Sequence, residues 1–297
     1  MEGTVEFYNR YTKSLEQEVI YGEFFLRLLY HSSIGRLAIR HLIGRKIFSR
    51  IFGHLTRHPI SRRKIRPFVE RYKIDMLTAE KKIEDYRSFD EFFSRKLKRD
   101  ARPIAVDQRK IVFPCDGRHL LIENFEKLPS FFIKGQRFDL KTLLQNGELF
   151  ERFQNGSAVI SRLCPVDYHR FHFPCDAVIR KIYQVSGDYL SVNPVVTRSK
   201  ISVLFENKRI VSVLHSQDID QFLMVEIGAT CVGSITQTAE VGRLYFKGEE
   251  KGFFSFGGST IMTIFLKNRI RFTEDLRQNS ANGVEMFAFM GDNMGGI

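Results

Sequence analysis

The chain has no tryptophan, only four cysteines and no apolar run long enough to cross a bilayer. A membrane-spanning helix needs about 20 predominantly apolar residues, so none is predicted. No two cysteines form a Cys-x-x-Cys pair, which argues against a structural zinc site. Few cysteines and the lack of a signal peptide point to a reducing compartment. The glutamate-rich start is unlike a transit peptide.

The sequence has, in contrast, many phenylalanines and a strong positive charge. It contains 28 Phe and carries a net charge of +12. Such an excess favours an anionic partner, either nucleic acid or an acidic membrane surface. A basic surface can also serve solubility alone.

The first hundred residues have the pattern of basic amphipathic helices. Apolar residues recur at helical spacing at Ile39, Ile43, Ile47, Ile51 and Leu55. Between positions 36 and 73 basic residues far outnumber the single acid, and residues 24–29 form an apolar cluster. Such a helix lies in a membrane interface or packs on its own domain. We predict a helical, membrane-docking region over residues 1–100.

The pattern changes after Arg102-Pro103. Short β-branched segments follow, separated by Gly, Asn and Pro, at 157–161, 178–182, 201–205, 209–214, 222–226 and 261–266. The tetrapeptide Phe-Pro-Cys-Asp occurs at 113–116 and again at 173–176, a hint of internal duplication. The predicted fold class is α+β: a β-rich catalytic domain over residues 101–297 with an N-terminal layer of amphipathic helices.

A short helix is predicted just before that change. Ser88 and Glu91 have the spacing of a capping box, so the helix begins there and carries Phe92 and Phe93.

Three polar clusters interrupt the apolar segments. They are Pro114-Cys115-Asp116-Gly117, the run from Asp167 to His172, and Gly257-Gly258-Ser259-Thr260. Together they supply a carboxylate, an imidazole and a hydroxyl, which nucleophilic catalysis by serine requires. The two glycines expose a backbone carbonyl beside a hydroxyl, which suits self-cleavage. Taken singly, the clusters are typical of a turn, a core histidine and a loop.

In combination and order, these motifs resemble the phosphatidylserine decarboxylases over residues 85–275. The residues that carry the resemblance are Phe92 to Leu97, Arg102 to Ile104, Pro114 to Gly117, Asp167 to His172, Ser186 to Asp188, Ser191 to Pro194, Gly228 to Ser234, Lys247 to Gly252 and Gly258 to Thr260. Many bacterial members have Leu-Gly-Ser-Thr at the last motif. The Gly-Gly-Ser-Thr form is similar to the second subfamily.

The resemblance implies a proenzyme that cleaves itself between Gly258 and Ser259. The products are a β chain of residues 1–258 and an α chain of residues 259–297. Ser259 then becomes a covalent pyruvoyl group, the only cofactor implied, and phosphatidylserine is decarboxylated to phosphatidylethanolamine. By the same resemblance, His172 deprotonates Ser259 while Asp116 holds the imidazole, and His169 handles the substrate.

The resemblance also implies partners and a location. The α and β chains of one precursor stay together, and αβ units form a homodimer. The protein is expected on the cytoplasmic face of the inner membrane, as a peripheral protein bound to anionic lipid that includes phosphatidylserine. No nucleic-acid partner is expected.

Two other functions fit parts of the pattern. A Ser-His-Asp lipid hydrolase would use the same residues without self-cleavage. However, no Gly-x-Ser-x-Gly elbow leads into a helix, and Ser259 leads into a strand-like run. A non-enzymatic nucleic-acid binder would rest on the positive charge alone and would bind duplexes with steep salt dependence.

Overall fold

The computed structural model describes residues 5–18, 53–125, 139–188, 202–228, 235–257 and 259–297. Its strands are β1 (Glu6–Asn9), β2 (Ser14–Gln17), β3 (Lys110–Val112), β4 (Gly117–Ile122), β5 (Ser157–Leu163), β6 (Arg170–His172), β7 (Ala177–Val185), β8 (Arg209–Ser216), β9 (Asp220–Gly228), β10 (Ile235–Gln237), β11 (Leu244–Tyr245), β12 (Glu250–Phe254), β13 (Ser259–Phe265), β14 (Arg271–Phe272), β15 (Glu285–Ala288) and β16 (Asn293–Gly296). The α-helices are α1 (Ile65–Tyr72), α2 (Phe89–Phe93), α3 (Leu140–Leu144), α4 (Gly147–Phe153), α5 (Val203–Glu206) and α6 (Glu274–Ala281).

Ten strands form one sheet in the order β11-β7-β8-β9-β13-β5-β4-β15-β1-β2. Two sheets of three strands, β10-β12-β6 and β14-β16-β3, accompany it. Strands β5 and β13 are adjacent near the centre, and all their residues are buried, as expected of strands covered on both faces. The predicted α+β class with a β-rich core is confirmed.

Most predicted strands occur where expected, but one does not. Residues 201–205 were expected to be a strand, whereas Val203 to Glu206 form the short helix α5. Val203 and Leu204 are both buried in this single turn. A short apolar run buries its side chains equally well in a turn of helix as in a strand, so periodicity does not separate the two.

The N-terminal region also differs from the predicted all-helical layer. Strands β1 and β2 form a hairpin, and β1 pairs in parallel with β15. Val5 and Phe7 are buried on either side of the exposed Glu6, which is the alternation of a strand. The apolar cluster at 24–29 and most of the stripe from Ile39 to Ile51 lie outside the described residues.

Helical structure returns from residue 53 onwards. Residues 53–57 are helical, and 3₁₀ turns cover Pro59–Lys64, Met76–Thr78 and Ile83–Asp85. None of the described helices is long and apolar enough to cross a bilayer.

The predicted helix at the capping box is confirmed as α2. The Ser88 hydroxyl accepts a hydrogen bond from the Glu91 N–H at 3.2 Å, and Phe92 and Phe93 are fully buried. These rings belong to a separate hydrophobic cluster, the phenylalanine cluster, whose members are Ile65, Phe68, Val69, Tyr86, Phe89, Phe92, Phe93 and Phe256. The N-terminal helices therefore pack against the segment that leads to Ser259.

The repeated tetrapeptide marks a structural duplication. Residues 113–116, the first corner, join β3 to β4, and residues 173–176, the second corner, join β6 to β7. Strands β15 and β16 pair with β4 and β3, whereas β11 and β12 pair with β7 and β6. The two halves thus have the same arrangement of four strands around one corner.

Backbone hydrogen bonds join the corners reciprocally. The Val112 N–H donates to the Pro174 carbonyl at 2.9 Å, and the His172 N–H donates to the Pro114 carbonyl at 2.8 Å. Since each corner accepts from the residue that precedes the other, the residues around both corners form one site. His172 is brought beside the first corner in this way.

Candidate active site

Ser259 is the first residue of β13 and has no exposed surface. Its backbone pairs with Leu163 of β5 and Gly228 of β9. Its hydroxyl is buried and makes no hydrogen bond with any described residue. Gly257 has φ of 144°, a conformation that favours glycine. Gly258 lies outside the described residues.

Asp90 of α2 fixes the segment before Ser259. Its carboxylate accepts the Phe256 N–H at 2.8 Å and also meets the Arg57 guanidinium at 3.3 Å. Arg57 in turn reaches the Ser255 hydroxyl at 3.4 Å. The Phe256 ring packs on Phe93 at a centroid distance of 4.9 Å. These contacts hold the chain two residues before Gly258.

His169 lies against the ring of Phe93, which also contacts Phe256. Its imidazole centroid is 3.8 Å from that of Phe93, and its Nδ1–H donates to the Asp167 carbonyl at 3.0 Å. In the neutral ring this leaves Nε2 as an acceptor, and Nε2 has no partner among the described residues. Burial lowers the pKa of His169 to about 3, so the ring is neutral and its lone pair is available.

His172 is held by two hydrogen bonds. Its Nδ1–H donates to the Gly248 carbonyl at 2.9 Å, so its Nε2 accepts from the Tyr168 hydroxyl at 3.1 Å. Burial lowers the pKa of this histidine to about 4. Burial also raises the pKa of Tyr168, and the negative charge of Asp116 acts in the same direction. Tyr168 thus links His172 to the carboxylate electrostatically.

Asp116 is buried, with 2% of its surface exposed. Arg102 donates from Nε and Nη2 to the carboxylate at 2.9 and 2.6 Å, and the Met290 N–H donates at 2.9 Å. Burial raises the pKa of Asp116, while these bonds favour the ionised carboxylate; the pKa of Arg102 is raised too, so the pair is charged.

The predicted site residues, Asp116, His169, His172 and Ser259, are all buried. The hydrogen bonds of Asp116 run to Arg102 and Met290, and both nitrogens of His172 are engaged. A direct Asp116–His172 bond stays a prediction. His169 is the imidazole that shares a ring contact with the segment before Ser259.

Sequence reasoning did not single out four residues with evident roles here. They are Asp90, Arg95, Arg102 and Tyr168. Three of them fall in motifs that carried the family resemblance: Arg95 in the Phe92 to Leu97 motif, Arg102 before Pro103, and Tyr168 before His169. The signal that could have identified them is a charged or hydroxyl-bearing residue beside an apolar motif. Their partners depend on contacts far apart in sequence.

Comparison with known proteins assigns the chain to a family. The family model described as phosphatidylserine decarboxylase matches residues 89–294. The chain belongs to the phosphatidylserine decarboxylase family. Membership makes it an enzyme of the decarboxylase class, and the resemblance seen in the sequence is confirmed.

Curated relatives in this family match nearly the whole chain. A protein of Chlamydia pneumoniae is 43% identical over 290 residues, which cover 98% of this chain and 96% of the relative. A protein of Clostridium botulinum strain Langeland is 38% identical, with coverage of 98% and 99%. One of Fusobacterium nucleatum is 38% identical, with coverage of 98% and 97%. Each of the three is named phosphatidylserine decarboxylase proenzyme.

Proposed function

We propose that this chain cleaves itself between Gly258 and Ser259 and then decarboxylates phosphatidylserine to phosphatidylethanolamine. The observation that carries the proposal is the Ser259 hydroxyl, which is buried, unbonded within the described residues and preceded by Gly257 at φ 144°. A buried hydroxyl without competing hydrogen bonds is available to the base that activates a serine nucleophile. The proenzyme names of the relatives support processing of the precursor.

Self-cleavage begins with attack of Ser259 Oγ on the Gly258 carbonyl carbon. The hydroxyl proton passes to a base and then to the departing amide nitrogen, so the peptide bond is replaced by an ester. Loss of the Ser259 Cα proton next expels the Gly258 carboxylate from Cβ. The resulting dehydroalanine takes up water and releases ammonia, which leaves a pyruvoyl group at the start of the α chain.

We assign the base for this step to His172 and substrate handling to His169. Both rings are buried and have depressed pKa values, so each is neutral near pH 7, the protonation state that a general base requires. Tyr168 donates a hydrogen bond to Nε2 of His172 at 3.1 Å. For His172 to act on Ser259, the Tyr168 hydroxyl must first release Nε2. The free Nε2 of His169, an acceptor in the neutral ring, supports the role in substrate handling.

The residues around Ser259 fit a pyruvoyl group. The side chain it would replace is small, buried and bonded to no described residue, and the strand behind it is held between β5 and β9. A pyruvoyl carbonyl supplies the electron sink that decarboxylation of an amino acid needs. Ser259, His169, Phe93 and Phe256 are all buried, which limits the access of water to this part of the protein.

Membrane docking is supported by the described part of the basic region. Leu55, Ile60 and Leu77 are 60%, 65% and 81% exposed. The basic side chains Arg62, Arg63 and Lys64 lie in the same stretch of chain and are also exposed. Apolar side chains among cations suit an anionic lipid surface, at about 1 kcal/mol per Lys or Arg near it. We propose that this face sits on the cytoplasmic side of the inner membrane, in a homodimer of αβ units.

Intact mass measurement tests the proposed function. Wild-type protein should separate into two chains that meet at Gly258–Ser259, and it should release carbon dioxide from phosphatidylserine. Ser259→Ala should stay whole and inactive. Thr263→Val is the matched control, because the Thr263 hydroxyl lies buried on the same strand and has no hydrogen-bond partner among the described residues; it should still be cut. A wild-type chain that stays intact yet decarboxylates would contradict the mechanism.

A further inference from the structure

Arg95 is a buried guanidinium with unused donors. Only 6% of the residue is exposed. Its Nη2 donates to the carbonyls of Val166 and Asp167 at 3.3 and 3.4 Å. Its Nε and Nη1 are buried and have no partner among the described residues. Buried cations are normally paired, because removing an unpaired charge from water is costly.

The nearby carboxylates do not neutralise Arg95. Asp116 is bonded to Arg102, and Asp167 is bonded to Arg118. The Tyr86 ring contacts the same Phe92 ring as the Arg95 guanidinium, and the Tyr86 hydroxyl is also buried without an acceptor among the described residues. The cluster therefore offers several hydrogen-bond donors without acceptors, which is the arrangement that an anion completes.

The cluster adjoins the proposed reaction centre. The Asp167 carbonyl accepts from both Arg95 Nη2 and His169 Nδ1. Phe92, over whose ring the Arg95 guanidinium lies at 5.1 Å, is adjacent to Phe93, which stacks on His169. An anion at Arg95 would thus lie one carbonyl group away from the histidine that faces the substrate.

The substrate of the proposed reaction carries two anions, a carboxylate and a phosphodiester. The carboxylate loses its charge as carbon dioxide forms, so a cation paired with it would stabilise the ground state more than the transition state. The phosphodiester keeps its charge throughout. Its phosphorus is four bonds from the amine nitrogen, which suits a receptor beside the reaction centre rather than in it.

We propose that Arg95, assisted by Tyr86, binds the phosphodiester of the substrate lipid, an inference that rests on the proposed function. Arg95, at 6% exposed, is nearly as buried as Ser259, which has no exposed surface, so an opening is needed at both positions for the substrate to bind. Planar guanidinium donors suit a phosphate held in one orientation.

Kinetics of Arg95 variants test this receptor role. Arg95→Gln should lower kcat/KM for phosphatidylserine about 100-fold, mainly through KM, because a buried charge pair loses one partner. Arg95→Lys should retain part of the activity, and Tyr86→Phe should show a smaller loss. Turnover of an O-alkyl serine, which keeps the amine and carboxylate but lacks phosphate, should change less than about threefold. Equal losses on both substrates would overturn the proposal.

Lys96→Gln is the matched control, because it removes an exposed cation from the next position. It should leave both substrates unaffected in neutral detergent micelles. If Arg95→Gln does not fold, which thermal melting shows, Arg95→Lys and Tyr86→Phe carry the same comparison.

A binding measurement separates this proposal from the proposed function. Glycerophosphoserine should raise the melting temperature of the purified wild-type protein, whether or not it has been cut, and should not raise that of Arg95→Gln. An equal shift in both proteins, no shift in either, or an equal shift with inorganic phosphate would overturn the assignment. Failure of the proposed function appears instead as wild-type protein that releases no carbon dioxide from phosphatidylserine.

Discussion

The first and second corners share a tetrapeptide, reciprocal backbone bonds and a partner loop with a positive-φ glycine, but their surroundings differ. In the first, Asp116 is 2% exposed and holds Arg102 as well as the Met290 N–H. In the second, Asp176 is half-buried, and the bond it makes among the described residues is to the Lys247 N–H at 2.7 Å. In both halves the carboxylate accepts a backbone N–H from the partner loop. In the first corner alone of the two, as described, it also pairs with an arginine, the half-buried Arg102.

The residues that precede the two corners also differ, and here the polar side chain belongs to the second corner. Val112 precedes the first corner and His172 precedes the second, at equivalent positions. The duplicated halves thus contribute different polar groups, a carboxylate from one and an imidazole from the other. The repeat supplies the same backbone framework in both halves. Asp116 differs from the equivalent Asp176 in being buried beside a charged partner, and this difference marks Asp116 as the candidate catalytic residue.

The largest expected effect comes from removing the two aspartates in turn. Asp116→Ala should slow self-cleavage by about 10³-fold or more and cost about 3 kcal/mol, because the half-buried Arg102 loses its carboxylate partner. Asp176→Ala should change cleavage by less than about threefold, since it loses a single bond at a half-buried site. Intact mass against time gives the rates, and denaturant unfolding gives the stabilities. Similar losses in both variants would erase the distinction between the corners.

The residues before the corners give the next comparison. His172→Gln should slow self-cleavage by about 10²- to 10⁴-fold, the usual contribution of a general base. Val112→Ala, at the equivalent position, should remain competent for cleavage. His169→Gln should be cut yet fail to release carbon dioxide. Cleavage that stops in the His169 variant and proceeds in the His172 variant would reverse the two assignments.

The glycines beside the corners should differ in stability. Gly291 and Gly248 have φ of 91° and 84°. A Cβ at Gly291 would lie 2.7 Å from the Pro103 carbonyl oxygen, whereas one at Gly248 would meet the Ile104 side chain at 2.8 Å. Gly291→Ala should cost about 2–3 kcal/mol and Gly248→Ala about 1–2 kcal/mol, because only a side chain can move aside.

Denaturant unfolding in the uncut Ser259→Ala background measures both glycine costs. Ile104→Ala should recover more of the loss in Gly248→Ala than in Gly291→Ala. A Cβ at Gly291 also lies 2.8 Å from Ile104 Cδ1, but its contact with the Pro103 carbonyl oxygen would remain. Equal recovery would show that the two loops are equally adaptable.

The last comparison concerns the dependence of stability on pH. Burial lowers the pKa of His119, His169 and His172 to about 3, 3 and 4. An unfolded histidine titrates near 6.5, so the unfolded state binds more protons below that pH. Folding stability should be complete above about pH 6.5 and fall by about 1.4 kcal/mol per pH unit per histidine towards pH 4.

Unfolding of Ser259→Ala at pH 7, 6 and 5 measures this slope. His172→Val gives the second corner the residue found at the first and should reduce the slope by one histidine's share. An unchanged slope would mean that His172 does not titrate differently on unfolding.

Much of the β-rich core could be predicted from the sequence, because strands β5, β7, β8, β9 and β13 are runs of β-branched and apolar residues between turn-forming residues. The N-terminal hairpin could not, since β1 is stabilised by pairing with β15, close to the other end of the chain. Helix α5 was missed because its apolar run is too short to show a period.

The candidate site was predictable in composition but not in connection. Asp116, His169, His172 and Ser259 are polar residues in apolar surroundings, and all four are buried. Their partners could not be predicted, because Arg102, Tyr168 and Asp90 act through tertiary contacts. The sequence pattern indicates which residues are available for chemistry, while burial and hydrogen bonding decide which atom of each is free.

The position of the strands that follow Ser259 has a consequence for a severed chain. Strand β13 lies between β5 and β9, and β15 lies between β4 and β1. Every one of these neighbours precedes Gly258 in sequence. Cleavage at Gly258–Ser259 would therefore yield two polypeptides whose strands alternate within one sheet. They could separate only if that central sheet unfolded.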